Sequence, residues 1–210
     1  QRSENIILLH NGIIENYKPL KDFLLKQGYT FLSETDTEVA AHLLHYEYKK
    51  YSIEKNNVER MKQAILSVVS QIRGAFAFGI LCTDTPDVLY AVKYGSPIVL
   101  GLGDAENYMA SGITALIEHT SRILIMEDKE IALLKTSGIE LIDFDGKPVE
   151  RKAIVVDWST SMLEKNGYDV HYTDSVFQDL NYEQTFSKVK ELSPDIIFIE
   201  TATPTINYDK

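Results

Sequence analysis

The sequence predicts an α+β domain of layered helices and antiparallel sheets, followed by a short α/β unit. Three observations carry this expectation. Helical periodicities are concentrated between residues 15 and 72, short apolar runs separated by turn signals fill 74–144, and strand and helix patterns alternate beyond about residue 152. The division falls at 158/159, giving segments 1–158 and 159–210. An apolar fraction of 44% with 25% charged residues is ordinary for a folded chain, and 210 residues suffice for one full core and part of a second.

The first element is "NIILL" at 5–9, an apolar run suited to a strand buried on both faces, ended by a sharp turn at Asn11-Gly12. Leu20, Phe23 and Leu24 then share a helical face closed by Gly28, with Pro19 tolerable only in the first turn. "YTFLS" reads as a short strand. In "TDTEVAAHLLHYEYKK", Thr35 and Glu38 have capping-box spacing, and Val39, His42, Leu43 and Tyr46 follow with helical period. Val58, Met61, Ile65, Val68, Val69 and Ile72 mark a third helix.

From Gly74 the runs "AFAFGILC", "VLYAVKY", "PIVLGLG", "NYMAS", "RILIM", "IALLK" and "IELIDF" are parted by "DTPD", "YGSP" and "FDGKP", the pattern of hairpins and meanders. Beyond Lys152 come "KAIVVDW" as a strand, "SMLEKNG" as a helix, "YDVHYTD" as a strand, "YEQTFSKVKEL" as an amphipathic helix and "DIIFIE" as a strand, the order of a parallel α/β unit.

Composition narrows the function classes. A net charge of -10 and a pI near 5.0 argue against a nucleic-acid partner, which needs clustered Lys and Arg. Cys82 is the single cysteine, so no intrachain disulfide forms, and its apolar neighbours make it a small buried hydrophobe. No apolar run reaches membrane-spanning length and the first residues lack a signal-peptide pattern, which gives the expectation of a cytoplasmic chain without a membrane partner.

Two stretches carry chemistry. Asn11-Gly12 is a good turn dipeptide; equally, an Asn amide beside a Gly N-H is a donor pair for an oxyanion, and one such donor is worth roughly 3 kcal/mol in a transition state. Asp36 at a helix start either caps free N-H groups or, facing a cleft, binds a substrate ammonium.

Together with "RGAFAFGIL", "YGSPIVLGLG" and "YMASGITAL", the stretch "HNGIIENYKPLKDFLLKQGYTFLSETDTEVAAHLL" resembles the class II glutamine amidotransferase domain of the glutamine:fructose-6-phosphate aminotransferase family. "GKPVERKAIVVDWSTSMLEKNGY" resembles the segment leaving that domain, so the likeness runs from residue 1 to about 167. The resemblance implies an N-terminal-nucleophile hydrolase fold of αββα layers, glutamine as substrate, no metal or cofactor, and acyl transfer through a first-residue cysteine. It places Asn11 and Gly12 in the oxyanion hole, as catalytic residues, and Asp36 on the α-amino group of glutamine.

The departures shape the expectation further. The chain opens with Gln1 rather than with the family's cysteine-led segment and its arginine and histidine motifs, and Gly112 stands where the family usually has aspartate. Cys82 cannot substitute, being internal and without a free α-amine. The 210-residue polypeptide alone is therefore expected to show no glutaminase turnover in an assay of the pure protein. The missing strands are expected to leave unpaired sheet edges and apolar faces that favour homo-oligomers or other association.

The tail, "LEKNGYDVHYTD" through "PDIIFIETATPTINYDK", resembles part of the cobalamin-binding domain of radical-SAM enzymes, a flavodoxin-like α/β fold. That likeness implies cobalamin as an alternative ligand, with "ETATPT" at the carboxyl ends of the strands. His171, lying mid-strand, reads as packed rather than metal-bound, and residues 162–168 are where two fused pieces would meet. A non-catalytic fusion fragment is the third reading.

Overall fold

A nine-residue strand, Ile6–Ile14, runs straight through the stretch expected to turn at Asn11-Gly12. The cause is long-range: it pairs residue for residue with Gly74–Cys82, from Ile6 opposite Cys82 to Ile14 opposite Gly74, and this ladder overrides the dipeptide's turn preference. In the computed structural model the described residues are 1–51, 56–116 and 118–156, with 184, 187, 190 and 191.

The chain divides into two compact units, Gln1–Trp158 and Ser159–Lys210. The first contains β1 (Arg2–Ser3), β2 (Ile6–Ile14), α1 (Tyr17–Lys26), α2 (Asp36–Lys50), α3 (Asn57–Gln71), β3 (Gly74–Cys82), β4 (Leu89–Tyr94), β5 (Val99–Leu102), β6 (Asn107–Ala110), a 3-10 turn (Ile113–Leu116), β7 (Arg122–Ile125), β8 (Glu130–Lys135), β9 (Gly138–Asp143) and β10 (Ile154–Val155). Two sheets result, ordered β1-β2-β3-β4-β8-β9 and β10-β7-β5-β6. Among the described residues of "KAIVVDW", Ile154–Val155 form β10, which pairs antiparallel with β7, Ile154 opposite Ile123. It therefore belongs to the antiparallel layer and not to a parallel α/β unit.

One face of the six-stranded sheet is covered by α2 and α3. Phe76, Phe78 and Ile80 of β3 and Tyr90 and Val92 of β4 are buried there with Leu43 and Leu44 of α2 and Met61, Ile65 and Val68 of α3. On the other face Ala77, Ala91 and Ala132 are small, and Ile98, Leu100, Leu124 and Met126 pack against them. Short side chains let the second sheet approach closely. The described residues thus form a helical layer and two sheets, three layers of the expected αββα order.

β2 is not buried on both faces as its composition suggested. Ile6, Leu8 and Ile14 are fully buried toward the helices, whereas Leu9 is 62% and Ile13 68% exposed on the opposite face. Leu81, two residues along β3 from Gly79 and opposite Ile7, continues that apolar surface. The second sheet covers β3, at Ala77 and Gly79, and the strands beyond it, and leaves Leu9 and Ile13 of β2 exposed.

The helix ends follow their local signals. Gly28 (φ +87) closes α1: its N-H donates to Leu25 O at 3.1 Å, and Tyr29 N-H to Leu24 O at 3.1 Å, which satisfies two orphan carbonyls. Thr35 caps α2, its hydroxyl accepting from Glu38 N at 3.3 Å. The reciprocal half of the capping box does not form. Instead, the Glu38 carboxylate accepts from Leu32 N at 2.8 Å, Ser33 N at 2.7 Å and Ser33 Oγ at 2.6 Å. With the amides of Tyr29, Leu32 and Ser33 so engaged, "YTFLS" has no ladder to join and is a loop, correcting the expected strand.

In the second unit Gln184, Ser187, Lys190 and Glu191 are helical, inside the stretch read as an amphipathic helix. The strands "YDVHYTD" and "DIIFIE", His171, the 162–168 junction and "ETATPT" lie outside the described residues.

Candidate active site

The open edge of the six-stranded sheet is the natural place to begin. β1 pairs with Ile6 and Ile7 and Gln1 bonds to Leu8, so from Leu9 onward β2 has a ladder partner on one side alone among the described residues. In an antiparallel ladder successive N-H groups point to opposite edges. Glu15 N donates inward to Arg73 O at 2.9 Å and Thr83 N to Asn5 O at 2.9 Å, so odd-numbered residues of β2 face β3. Even-numbered ones face outward: Leu8 N donates to Gln1 O at 2.8 Å, and Ile14 N to the Asp36 carboxylate at 2.8 Å. Gly12 lies between them in the same parity, and its N-H is therefore directed to the open edge.

Gly12 could not be another residue. Its φ is +124, and a Cβ built there would lie 2.1 Å from Ala75 O and 2.6 Å from Ser96 Oγ. Glycine is required here for close approach of two strands, not for a turn. Ser96, in the "YGSP" link, is buried against this point, a neighbour that nothing in its local sequence distinguished. Asn11 is exposed and in β2 shares the face of Leu9 and Ile13.

Asp36 does not cap its own helix. Thr35 holds the capping position, and the Asp36 side chain reaches across to β2, with Oδ2 on Ile14 N and Oδ1 3.6 Å from His10 Nδ1. The structure thus fixes Asp36 to the strand two residues beyond Gly12, on the edge toward which the Gly12 N-H points. The carboxylate remains 23% exposed, which leaves lone pairs for a further donor.

His10 was not singled out by the sequence, because its partners are distant in the chain. Its Nδ1 lies 3.2 Å from Thr37 Oγ1, its ring meets Phe78 edge-on at 5.2 Å, and its buried Nε2 has no partner among the described residues. Burial lowers the His10 pKa below 6.5, only partly opposed by the Asp36 charge. His45, bonded through Nδ1 to Tyr29 OH at 2.9 Å, is lowered by burial and then by the Lys49 charge. Both imidazoles are neutral in the fold at pH 7, and His10 is so beside an Asp36 held by a backbone amide.

This gives a pH prediction. An unfolded histidine takes its proton near pH 6.5, and a folded one with a lowered pKa takes it later, so the unfolded state binds more protons in between. Stability is therefore full above pH 7 and falls as the pH drops below 6.5, until the depressed folded values are reached. Urea midpoints should be lower at pH 5.5 than at 7.5, and His10→Gln with His45→Gln should flatten that difference. Equal midpoints in the parent protein would remove the argument.

Cys82 closes β3, is buried, and accepts from Asn5 Nδ2 at 3.6 Å. Burial pushes its thiol pKa up, so it has none of the character of a nucleophile. Gly112 precedes the 3-10 turn, and a Cβ there would meet only Thr114 Oγ1 at 3.9 Å. Among the described residues no cluster of three or more His, Cys, Asp or Glu side chains is arranged to hold a metal, and no helix is long and apolar enough to cross a membrane.

Comparison with known proteins identifies the family. A family model described as a glutamine amidotransferase domain matches residues 1–118. The glutamine--fructose-6-phosphate aminotransferase (isomerizing) of Caldanaerobacter subterraneus subsp. tengcongensis is 40% identical over 164 residues, covering 78% of this chain and 26% of that protein. The enzyme of the same name from Methanosarcina acetivorans is 38% identical over 201 residues, covering 93% of this chain and 32% of that protein. This chain thus spans about a quarter to a third of the length of these relatives. Among solved structures, the glutamine phosphoribosylpyrophosphate amidotransferase of B. subtilis aligns with a TM-score of 0.55 at 28% identity, over 69% of this chain and 30% of that one. With the family model matching more than half of its residues and the layered fold shared with that structure, the chain belongs to the glutamine amidotransferase domain family.

Proposed function

We propose that residues 1–158 are the glutamine-binding and oxyanion-stabilising part of a glutaminase site, serving in its parent an aminotransferase that forms glucosamine 6-phosphate from fructose 6-phosphate. The observation that carries the reading is the outward edge of β2, where the Gly12 N-H and the Asp36 carboxylate held on Ile14 N face one side. In acyl transfer from the side-chain amide of glutamine, attack on the carbonyl carbon places negative charge on its oxygen. The Gly12 N-H and the Asn11 amide are the donors for that oxygen, and Asp36 takes the α-ammonium at the other end of the substrate. Because Cys82 is buried with a raised pKa, the attacking thiol is not one of the chain's own described groups.

For the tail, the Methanosarcina match covers 93% of the chain and so must run well past residue 167. This supports reading 159–210 as a continuation of the same family rather than as a cobalamin module. Cobalamin added to the protein should accordingly leave its visible spectrum and the melting temperature unchanged.

The site is tested by titrating L-glutamine into the protein and following backbone amide resonances. Saturable shifts at Gly12 and Ile14 are expected, absent in Asp36→Asn, which keeps an oxygen for Ile14 N but loses the charge. A partly exposed ammonium-carboxylate pair with one additional donor is worth about 1.5–3 kcal/mol, or roughly ten- to hundred-fold in affinity. No saturable shift at either amide, or unaltered binding in Asp36→Asn, overturns the assignment.

A further inference from the structure

Where α3 leads into β3 lies a cavity of about 280 Å³ that the glutaminase reading does not use. Its apolar wall is Ile72 at the end of α3, Phe76 of β3, Tyr94 at the end of β4 and Phe144 just after β9. The rings are arranged in sequence: Phe76 and Tyr94 have centroids 5.6 Å apart at 44°, and Tyr94 and Phe144 are 6.4 Å apart at 41°. Phe76 is itself 1% exposed and stacked on Phe78 at 4.9 Å, so the ring surface offered to a guest is that of Tyr94 and the half-buried Phe144.

Two cations complete the lining, Arg73 and Lys129. Both are exposed, and neither side chain takes part in an ion pair or a side-chain hydrogen bond among the described residues. Two of the neighbouring carboxylates are already engaged, and a third, Glu15, whose N-H donates to Arg73 O at 2.9 Å, is exposed. Asp128 is held by Lys93 Nζ and by Gly95 N at 3.0 Å, and Asp143 Oδ1 accepts from Asp145 N at 2.9 Å and Lys147 N at 2.8 Å. In a chain of net charge -10, two cations lining one cavity, neither in an ion pair among the described residues, favour an anion there.

We infer that this cavity is a binding site for a monocyclic aromatic anion, its ring lying against Tyr94 and Phe144 and its carboxylate or phosphate held between Arg73 and Lys129. Size decides against larger guests. The volume of about 280 Å³ falls just below the usual 300–1,000 Å³ range of ligand pockets, enough for one ring and an acid group and too small for a dinucleotide. Arg73 supplies a planar fork for two oxygens, and Lys129 a point charge. Of the cavity's residues, Gly74 and Phe76 are the ladder partners of Ile14 and Gly12, so an occupant sits one strand away from the candidate active site without touching Asn11, Gly12 or Asp36.

The test uses phenyl phosphate and benzoate, titrated separately into the 210-residue protein while the amide resonances of Gly74, Phe76 and Lys129 are followed. Saturable shifts at these amides are expected for at least one of the two, and the tighter one identifies the head group. Inorganic phosphate and benzyl alcohol, each carrying half of the recognition chemistry, should bind at least tenfold more weakly. Arg73→Gln with Lys129→Gln, two exposed changes that should leave the melting temperature in place, should weaken binding at least tenfold. Shifts confined to the open face around Leu9 and Leu81, equal affinity in the double variant, equal affinity for inorganic phosphate or benzyl alcohol, or no saturable shift at all would each overturn the site.

Discussion

Gly12→Ala is expected to lower unfolding stability by more than about 3 kcal/mol, because the added methyl has no place to go. At φ +124 an L side chain is strained before any contact is counted, and its Cβ would stand 2.1 Å from Ala75 O. Ser96 Oγ, at 2.6 Å, could rotate away. Ala75 O cannot, since it belongs to a strand paired on both sides: Ala75 is opposite Ile13, and the next residue, Phe76, is bridged to Gly95. Relief therefore requires opening the β2–β3 ladder, and the pairs nearest the open edge would be the first to separate. Gly112→Ala is the control, because the nearest atom to its Cβ is 3.9 Å away and its cost should stay within about 0.5 kcal/mol. Urea midpoints of the two variants measured together settle the matter, and a Gly12→Ala midpoint equal to that of Gly112→Ala would mean that β2 is not held as described. The same displacement moves the Gly12 N-H, so L-glutamine shifts should be lost in whatever fraction of the variant remains folded.

The fate of this glycine shows where sequence reasoning succeeded and why it stopped. A glycine after asparagine is consistent with a turn, a bulge or a close backbone approach, and only the partner strand separates these. The partner, Gly74–Cys82, lies more than sixty residues away and was itself legible as a strand, but pairing register is not written in either segment alone. Local signals fared better where the physics is local. Gly28 ends α1 and Thr35 begins α2, because the groups they satisfy are within four residues. Asp36 shows the opposite case: a capping role was available, yet its carboxylate is bound to Ile14 N, twenty-two residues back. His10 could not have been found at all by that route, since what distinguishes it is a buried nitrogen without a partner among the described residues and a contact to Thr37 on another element. The family likeness rather than periodicity drew Asn11, Gly12 and Asp36 together, and the ladder supplied the physical reason for Gly12 and Asp36.

Glu38→Ala is the second large effect, about 3 kcal/mol of lost stability, and it connects that loop to the site. The Glu38 carboxylate is 3% exposed and accepts three hydrogen bonds, two of them from the backbone of Leu32 and Ser33. Burial by itself would raise its pKa. The bonds from Leu32 and Ser33, with the His42 charge, outweigh burial and hold it below the ordinary value, so the carboxylate is charged in the fold. Truncation leaves two amides that the loop turned inward without acceptors, each costing about 1–3 kcal/mol if they stay dry. The loop's alternative is to open and hydrate them, which is less costly but moves the chain immediately before Thr35 and Asp36. Glu38→Gln separates the two terms: it keeps one acceptor oxygen in place while turning an NH₂ toward donors, and about half of the loss is expected. Fast hydrogen exchange at Leu32 and Ser33, together with a shifted Ile14 resonance, would show that the loop positions Asp36 on β2. If both variants unfold at the parent midpoint, the Leu32–Thr35 loop is held by something other than this carboxylate, and Asp36 owes its placement to the strand alone.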